Sequence, residues 1–166
     1  MMNDMVDLLK SIFKGTDART LGENRLSVTT PGESVLAVLD YLKASGFYQL
    51  KSISCVDWID DNEFELVYHV ASLERPLHIM VKTRIDRDKP VFPTAMSIFK
   101  NAGIFEREMH ELFGVMFEGN PDLNPLFLDN WKDIPPFRKD FDMRKYVKDT
   151  YDSIPSFEEY KWQKEN

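Results

Sequence analysis

Apolar residues recur along the chain with two different periods, and the switches between them mark out its elements. Over 4–13, Met5, Leu8, Leu9, Ile12 and Phe13 fall at helical spacing, and Gly15 ends the run. Leu26 and Val28 alternate with polar neighbours over 25–29, which predicts a short strand. Val35, Val38, Leu39 and Leu42 then follow at i, i+3, i+4 and i+7, predicting a helix that Gly46 terminates. Its start carries a T-x-x-E pattern, with Thr30 as cap, Pro31 at the first helical position and Glu33 reaching back. Three strands are expected next: 48–59, then Phe64, Leu66, Tyr68 and Val70 in alternation, then Leu77, Ile79 and Val81. The turns between them are short, around Asp60 to Asn62 and Glu74 to Pro76, so the strands pair as antiparallel hairpins. A short helical piece is expected over 94–99. A longer helix over 102–113 carries an apolar stripe of Phe105, Met109, Leu112 and Phe113 and closes at Gly114. Helices beside a meander predict an α+β fold, a two-layer sandwich of helices on a mostly antiparallel sheet.

From Phe117 the pattern changes. Periodicity is lost, no glycine follows Gly119, and five of the nine prolines lie here. Yet this stretch holds Phe117, Phe127, Trp131, Phe137, Phe141, Tyr146, Tyr151, Phe157, Tyr160 and Trp162. Disordered tails are poor in aromatics because they have no core to receive them. The division expected is therefore a docking domain, 1–116, and an extended arm, 117–166, whose rings insert into another protein's surface. The alternative is an arm folded back over its own domain.

Composition narrows the function. A chain of 166 residues with 43% apolar content suits one core. A net charge of −7 argues against nucleic acid, which requires clustered Lys and Arg. No stretch approaches the roughly 20 apolar residues of a membrane span. The N-terminus is too charged for a signal peptide and lacks the Arg-rich character of a transit peptide, so a cytoplasmic chain is expected. Cys55 is the only cysteine, and one thiol holds neither a disulfide nor an iron–sulfur cluster.

The densest charged cluster is Glu106-Arg107-Glu108-Met109-His110-Glu111. Glu106 and His110 lie one turn apart, as do Arg107 and Glu111. Such spacing opens a metal site, and a metal-assisted hydrolase built on Glu106, His110 and Glu111 is one reading. The other is Arg107 bridging acidic groups within or between subunits. His69 and His78 fall on neighbouring strands, and Arg138 and Lys139 lie among Phe137, Asp140, Phe141 and Asp142 like an interface rim. Neither a nucleophile elbow nor a phosphate or dinucleotide loop is present.

The stretch from Glu106 to Gly119, with Glu106, Arg107, Glu108, Glu111, Phe113, Gly114, Phe117 and Gly119, resembles a family signature. It is E-R-E-x-x-[DE]-x-[FY]-G-[IV]-x-F-x-G of the 30 kDa subunit of respiratory complex I. The resemblance continues through Pro121, Asp122 and Leu123, through Trp131, and through Pro136, Phe137, Arg138, Lys139, Asp140 and Phe141. Asn120 and Asn124 replace the His and Arg usual in the respiratory enzymes, and Pro125 to Leu128 also departs. That is similar to the archaeal branch of membrane-bound [NiFe]-hydrogenases, sulfur-reducing homologues and F420 dehydrogenases.

The resemblance implies a support role without activity of its own. It implies no cofactor in this chain, with iron–sulfur clusters and a nickel–iron site in partner subunits. The partners implied are the large catalytic (49 kDa or NiFe-type) subunit and the small iron–sulfur subunit, on the cytoplasmic side of the membrane. A free adaptor outside any redox complex is the remaining alternative.

Overall fold

A computed structural model describes the chain from residue 2 to residue 151, with side chains from residue 4. The expected arm rings Phe157, Tyr160 and Trp162 lie outside the described residues. The chain opens with α1 (Met2–Ile12), β1 (Asp17–Thr20), β2 (Arg25–Thr29) and α2 (Val35–Ala44). The meander follows as β3 (Gln49–Trp58), β4 (Glu63–Ala71) and β5 (His78–Asp86). Then come β6 (Val91–Pro93), α3 (Ala102–Phe113), β7 (Met116–Glu118) and α4 (Met143–Thr150).

The five-stranded sheet runs β1-β2-β5-β4-β3. Every pairing is antiparallel except β2 with β5, because the chain leaves β2 through α2 before the meander begins. The fold is thus α+β with a mostly antiparallel sheet. Phe64, Leu66, Tyr68 and Val70 alternate onto one face of β4 and are buried with Leu26, Val28, Ile79 and Val81 of its neighbours. The helices cover that face through Leu9 of α1, Val35, Val38, Leu39 and Leu42 of α2, and Met109 and Phe113 of α3. On β4 and β5 the alternate positions carry charge instead: Lys82 pairs with Glu65 (3.6 Å), and Arg84 with Glu63 (3.0 Å) and Glu65 (3.5 Å). That alternation fixes which face is core.

Two local expectations fail for identifiable reasons. Thr30 does not cap a helix: its N–H donates to Lys82 O (3.0 Å), prolonging the β2–β5 ladder, and its hydroxyl meets Thr16 Oγ1 at 2.7 Å. The helix therefore starts later, after a 3-10 turn at Gly32–Ser34. Nor do residues 94–99 form a helix. Ala95 N–H is taken by the Glu106 carboxylate and Met96 N–H by Thr94 Oγ1, leaving one turn closed onto Ala95 O.

Three short strands escaped the pattern. β1, β6 and β7 have four, three and three residues, too few to show alternation. The last two pair in parallel as a ribbon that brings Phe92 and Phe117 together in the core. The expected boundary between 116 and 117 falls inside β7, and Phe117, expected as an arm ring, is 1% exposed. Periodicity does not vanish beyond it either: α4 is an eight-residue helix whose N-cap, Asp142, accepts from Arg144 N–H (2.9 Å) and Lys145 N–H (3.1 Å).

Candidate interaction site

The acidic helix α3 is the platform on which residues 119–141 are built. Glu106 is the most buried of its charged residues, at 0% exposure. One carboxylate oxygen accepts from Ala95 N–H (2.8 Å), the other from Thr94 Oγ1 (2.7 Å) and Asn120 Nδ2 (2.9 Å). No ion pair reaches it among the described residues. Three donors thus offset the desolvation of a buried carboxylate. They tie together the turn after β6, the helix and the chain leaving β7.

Arg107 faces the other way. Its guanidinium pairs with Asp122 (3.3 Å) and donates to Asn124 O and Pro125 O (both 3.1 Å), so it holds the first turn beyond Gly119. Glu111, one turn on, accepts from three successive backbone amides: Leu126 (3.0 Å), Phe127 (3.0 Å) and Leu128 (2.5 Å). Burial raises its pKa, but those amides and the charge of Arg107 outweigh it and leave Glu111 below the usual range. Glu108 is half-buried and makes no ion pair among the described residues. His110 Nδ1 lies 3.0 Å from Val115 O, so that nitrogen carries the proton and donates.

Glycine is required at two motif positions. Gly114 ends α3 with φ +84°, and a Cβ there would also press on Pro135 at 3.2 Å. Gly119 turns the chain out of β7 with φ +90°, and its Cβ would meet Thr94 at 3.0 Å.

The rest of the segment returns to the domain. Phe137 N–H donates to Leu112 O (3.0 Å), and the Phe137 ring meets Phe113 edge-on at 5.8 Å. Trp131, Phe141 and Tyr146 form a cluster of their own, with centroids 4.7 to 5.7 Å apart. Leu123 packs against the core, Pro136 is half-buried, and Pro121 is exposed.

Two residues that the sequence pattern did not single out as site members close the clasp. Arg87 donates to both oxygens of Asp57 (2.7 and 3.0 Å) and to Asp140 (2.8 Å), while Asp57 also accepts Lys139 N–H (2.7 Å). Arg138 reaches Asp140 (3.3 Å) and lies over the Phe64 ring. The side chains of Asp57 and Arg87 are 2% and 7% exposed. For Asp57, burial alone would raise the pKa; the bonds from Arg87 and Lys139 reverse that and lower it. Asp140 is lowered in the same way, by Arg87 and Arg138 against burial. A signal for Asp57 was present: the alternation Ile53, Cys55, Asp57 puts a carboxylate on the inward side of β3.

The arrangement positions chain and does not gather reactive groups. Glu106, His110 and Glu111 are committed to three different partners, and the described residues contain no group of three or more His, Cys, Asp and Glu able to hold a metal. Burial pushes the Cys55 thiol well up, with the charge of Asp57 adding to it, which makes it inert as a nucleophile. His69 and His78 do approach across the hairpin, with ring centroids 6.4 Å apart. No helix among the described residues is long and apolar enough to cross a membrane. The surface beyond the clasp is apolar in places: Phe127 is 65% exposed and Phe137 60%.

Comparison with known proteins places these features in a wider set. Residues 28–147 match the family described as respiratory-chain NADH dehydrogenase, 30 Kd subunit. The C-type subunit of the NADH-quinone oxidoreductase of Rhizobium rhizogenes is 38% identical over 131 residues, covering 76% of this chain but 65% of the relative. The C-type subunit of the F(420)H(2) dehydrogenase of Methanosarcina mazei is 42% identical over 107 residues, or 63% of this chain and 68% of that one. Among solved structures, a chain of the membrane-bound sulfane sulfur reductase, an archaeal respiratory membrane complex, superposes with a TM-score of 0.86. It is 37% identical and covers 94% of each chain.

Proposed function

The chain belongs to the family of the 30 kDa subunit of respiratory-chain NADH dehydrogenase, and from that premise we propose that it is a non-catalytic structural subunit in the peripheral arm of a complex I-like membrane-bound oxidoreductase. Its partners in this reading are the large catalytic subunit (49 kDa or NiFe type) and the small iron–sulfur subunit. Iron–sulfur clusters, and nickel–iron where present, belong to them. It meets the membrane only through the complex, on the cytoplasmic side.

Within that class we assign it to the branch of energy-converting [NiFe]-hydrogenases and their sulfur-reducing homologues. What supports this reading is the likeness to the sulfane sulfur reductase chain, 37% identical with a TM-score of 0.86. The 42% identity to the F(420)H(2) dehydrogenase chain keeps a dehydrogenase of that type as the second reading.

The test is native purification through a tag on this chain, with mass spectrometry and activity assays on the eluate. Co-elution of a large and a small iron–sulfur subunit is expected, with hydrogen evolution or sulfur reduction. F420H2 or NADH oxidation instead would select the second reading. A chain recovered alone, turning over a substrate with its own metal, would overturn the structural role.

A further inference from the structure

Between α3 and the segment clasped to it lies a pocket of about 260 Å³, lined by His110, Glu111, Leu123, Pro125, Leu128 and Trp131 among others. It is smaller than the roughly 300–1,000 Å³ of cofactor and ligand sites, and suits a single side chain. Its polar lining is of one kind. Glu111 is held as a carboxylate by three amides, and a carboxylate only accepts. His110 spends its Nδ1 proton on Val115 O, so Nε2 is the ring nitrogen left over, and it makes no hydrogen bond to the described residues. The indole N–H of Trp131 is likewise spent, on Ile134 O at 3.0 Å, leaving the pocket its ring. Arg107, whose charge acts on Glu111, is committed to Asp122, Asn124 and Pro125.

A carboxylate, a lone imidazole acceptor and an indole ring among apolar walls complement one kind of guest. We infer that this pocket receives an arginine side chain of the subunit on which the chain sits. A guanidinium brings a full positive charge to the Glu111 carboxylate, offers a donor to the free Nε2 of His110 and stacks on the indole. A neutral side chain would leave the carboxylate's charge uncompensated, and an acidic one would be repelled by it. The inference rests on the proposed subunit role for its source of arginine, while the chemistry of the pocket belongs to this chain.

The two are tested separately. The full chain, free in solution, is titrated with N-acetyl-arginine methylamide and followed by amide NMR at Leu126, Phe127, Leu128 and the Trp131 indole. Saturable shifts confined to these signals are expected, at least tenfold weaker with the citrulline analogue and absent in His110→Lys. The lysine analogue should bind more weakly than arginine. No shift, or equal binding of citrulline or lysine, overturns the assignment. In the purified complex, His110→Lys should reduce retention of this chain at least tenfold, and His110→Gln, which keeps an acceptor, should retain it. Full retention of a folded His110→Lys chain would also overturn it. If the wild-type chain fails to co-purify with any partner, the subunit role fails, and the titration still judges the pocket.

Discussion

Glu106 shows why a charged residue in a signature need not be a surface contact. It is fully buried without a cation and anchors two backbone segments and Asn120. Removing it strands the amide of Ala95, at about 1–3 kcal/mol, takes one of two acceptors from Asn120, which keeps Gly103 O, and opens a cavity. Glu106→Ala is therefore expected to destabilise the chain by about 3–5 kcal/mol in urea unfolding, and Glu106→Gln by about 1–2 kcal/mol, since one carbonyl still accepts. Equal losses in both variants would mean that the two accepting carboxylate oxygens, not the volume of the side chain, are what the site requires. The sequence announces the residue but not its role. Only the residue type is visible there, which puts Glu106 with the rest of the charged face; its burial comes from β6 and β7, both too short to leave a pattern.

Among the elements, those with many residues on one face were legible and those with few were not. β2 and α3 lie where the alternation and the apolar stripe put them, and the meander follows the order of its turns. Thr30 misled because its amide had a better partner across the sheet than at a helix start. The clasp was hidden for a different reason: Asp57, Arg87 and Asp140 are far apart in sequence, and only the finished sheet brings them together. Breaking the buried Asp57–Arg87 pair typically costs about 3–5 kcal/mol, because one charge stays behind unpaired. Arg87→Ala should lose about that much in denaturant unfolding and admit trypsin at Arg138 and Lys139. Asp140→Asn, with a side chain 39% exposed, should loosen the segment while costing under about 1 kcal/mol. A pH dependence follows. Asp57, Glu111 and Asp140 all titrate below their ordinary values, so the unfolded chain binds more protons than the folded one just below about pH 4. Stability from these groups is complete above about pH 5 and is lost as the pH falls through the folded values. Unfolding free energy measured from pH 7 to 3 should be level and then drop, with a shallower drop in Arg87→Ala.

At the scale of the whole molecule, the aromatic-rich segment divides between two destinations. Phe117 is core, Trp131, Phe141 and Tyr146 pack on one another, and Phe137 leans on Phe113 while keeping most of its surface outside. The rings were visible in the sequence but this division was not, since an interior ring and an outward one look alike in composition. Phe127 separates the two roles most cleanly. Its backbone amide belongs to the fold, through Glu111, while its ring is 65% exposed and meets no ring of this chain among the described residues. Substituting the side chain leaves the amide in place, so Phe127→Ser should change the unfolding free energy by no more than about 0.5 kcal/mol. If the ring is an anchor in a partner's surface, its loss should cost the complex about 2 kcal/mol, a roughly 30-fold weaker association. Retention of the variant chain on a tagged large subunit, measured against its melting curve, distinguishes the two effects. A folded Phe127→Ser chain retained as well as the wild type would show that this ring faces water in the complex, and would move the anchoring surface to Phe137 and the pocket beside His110.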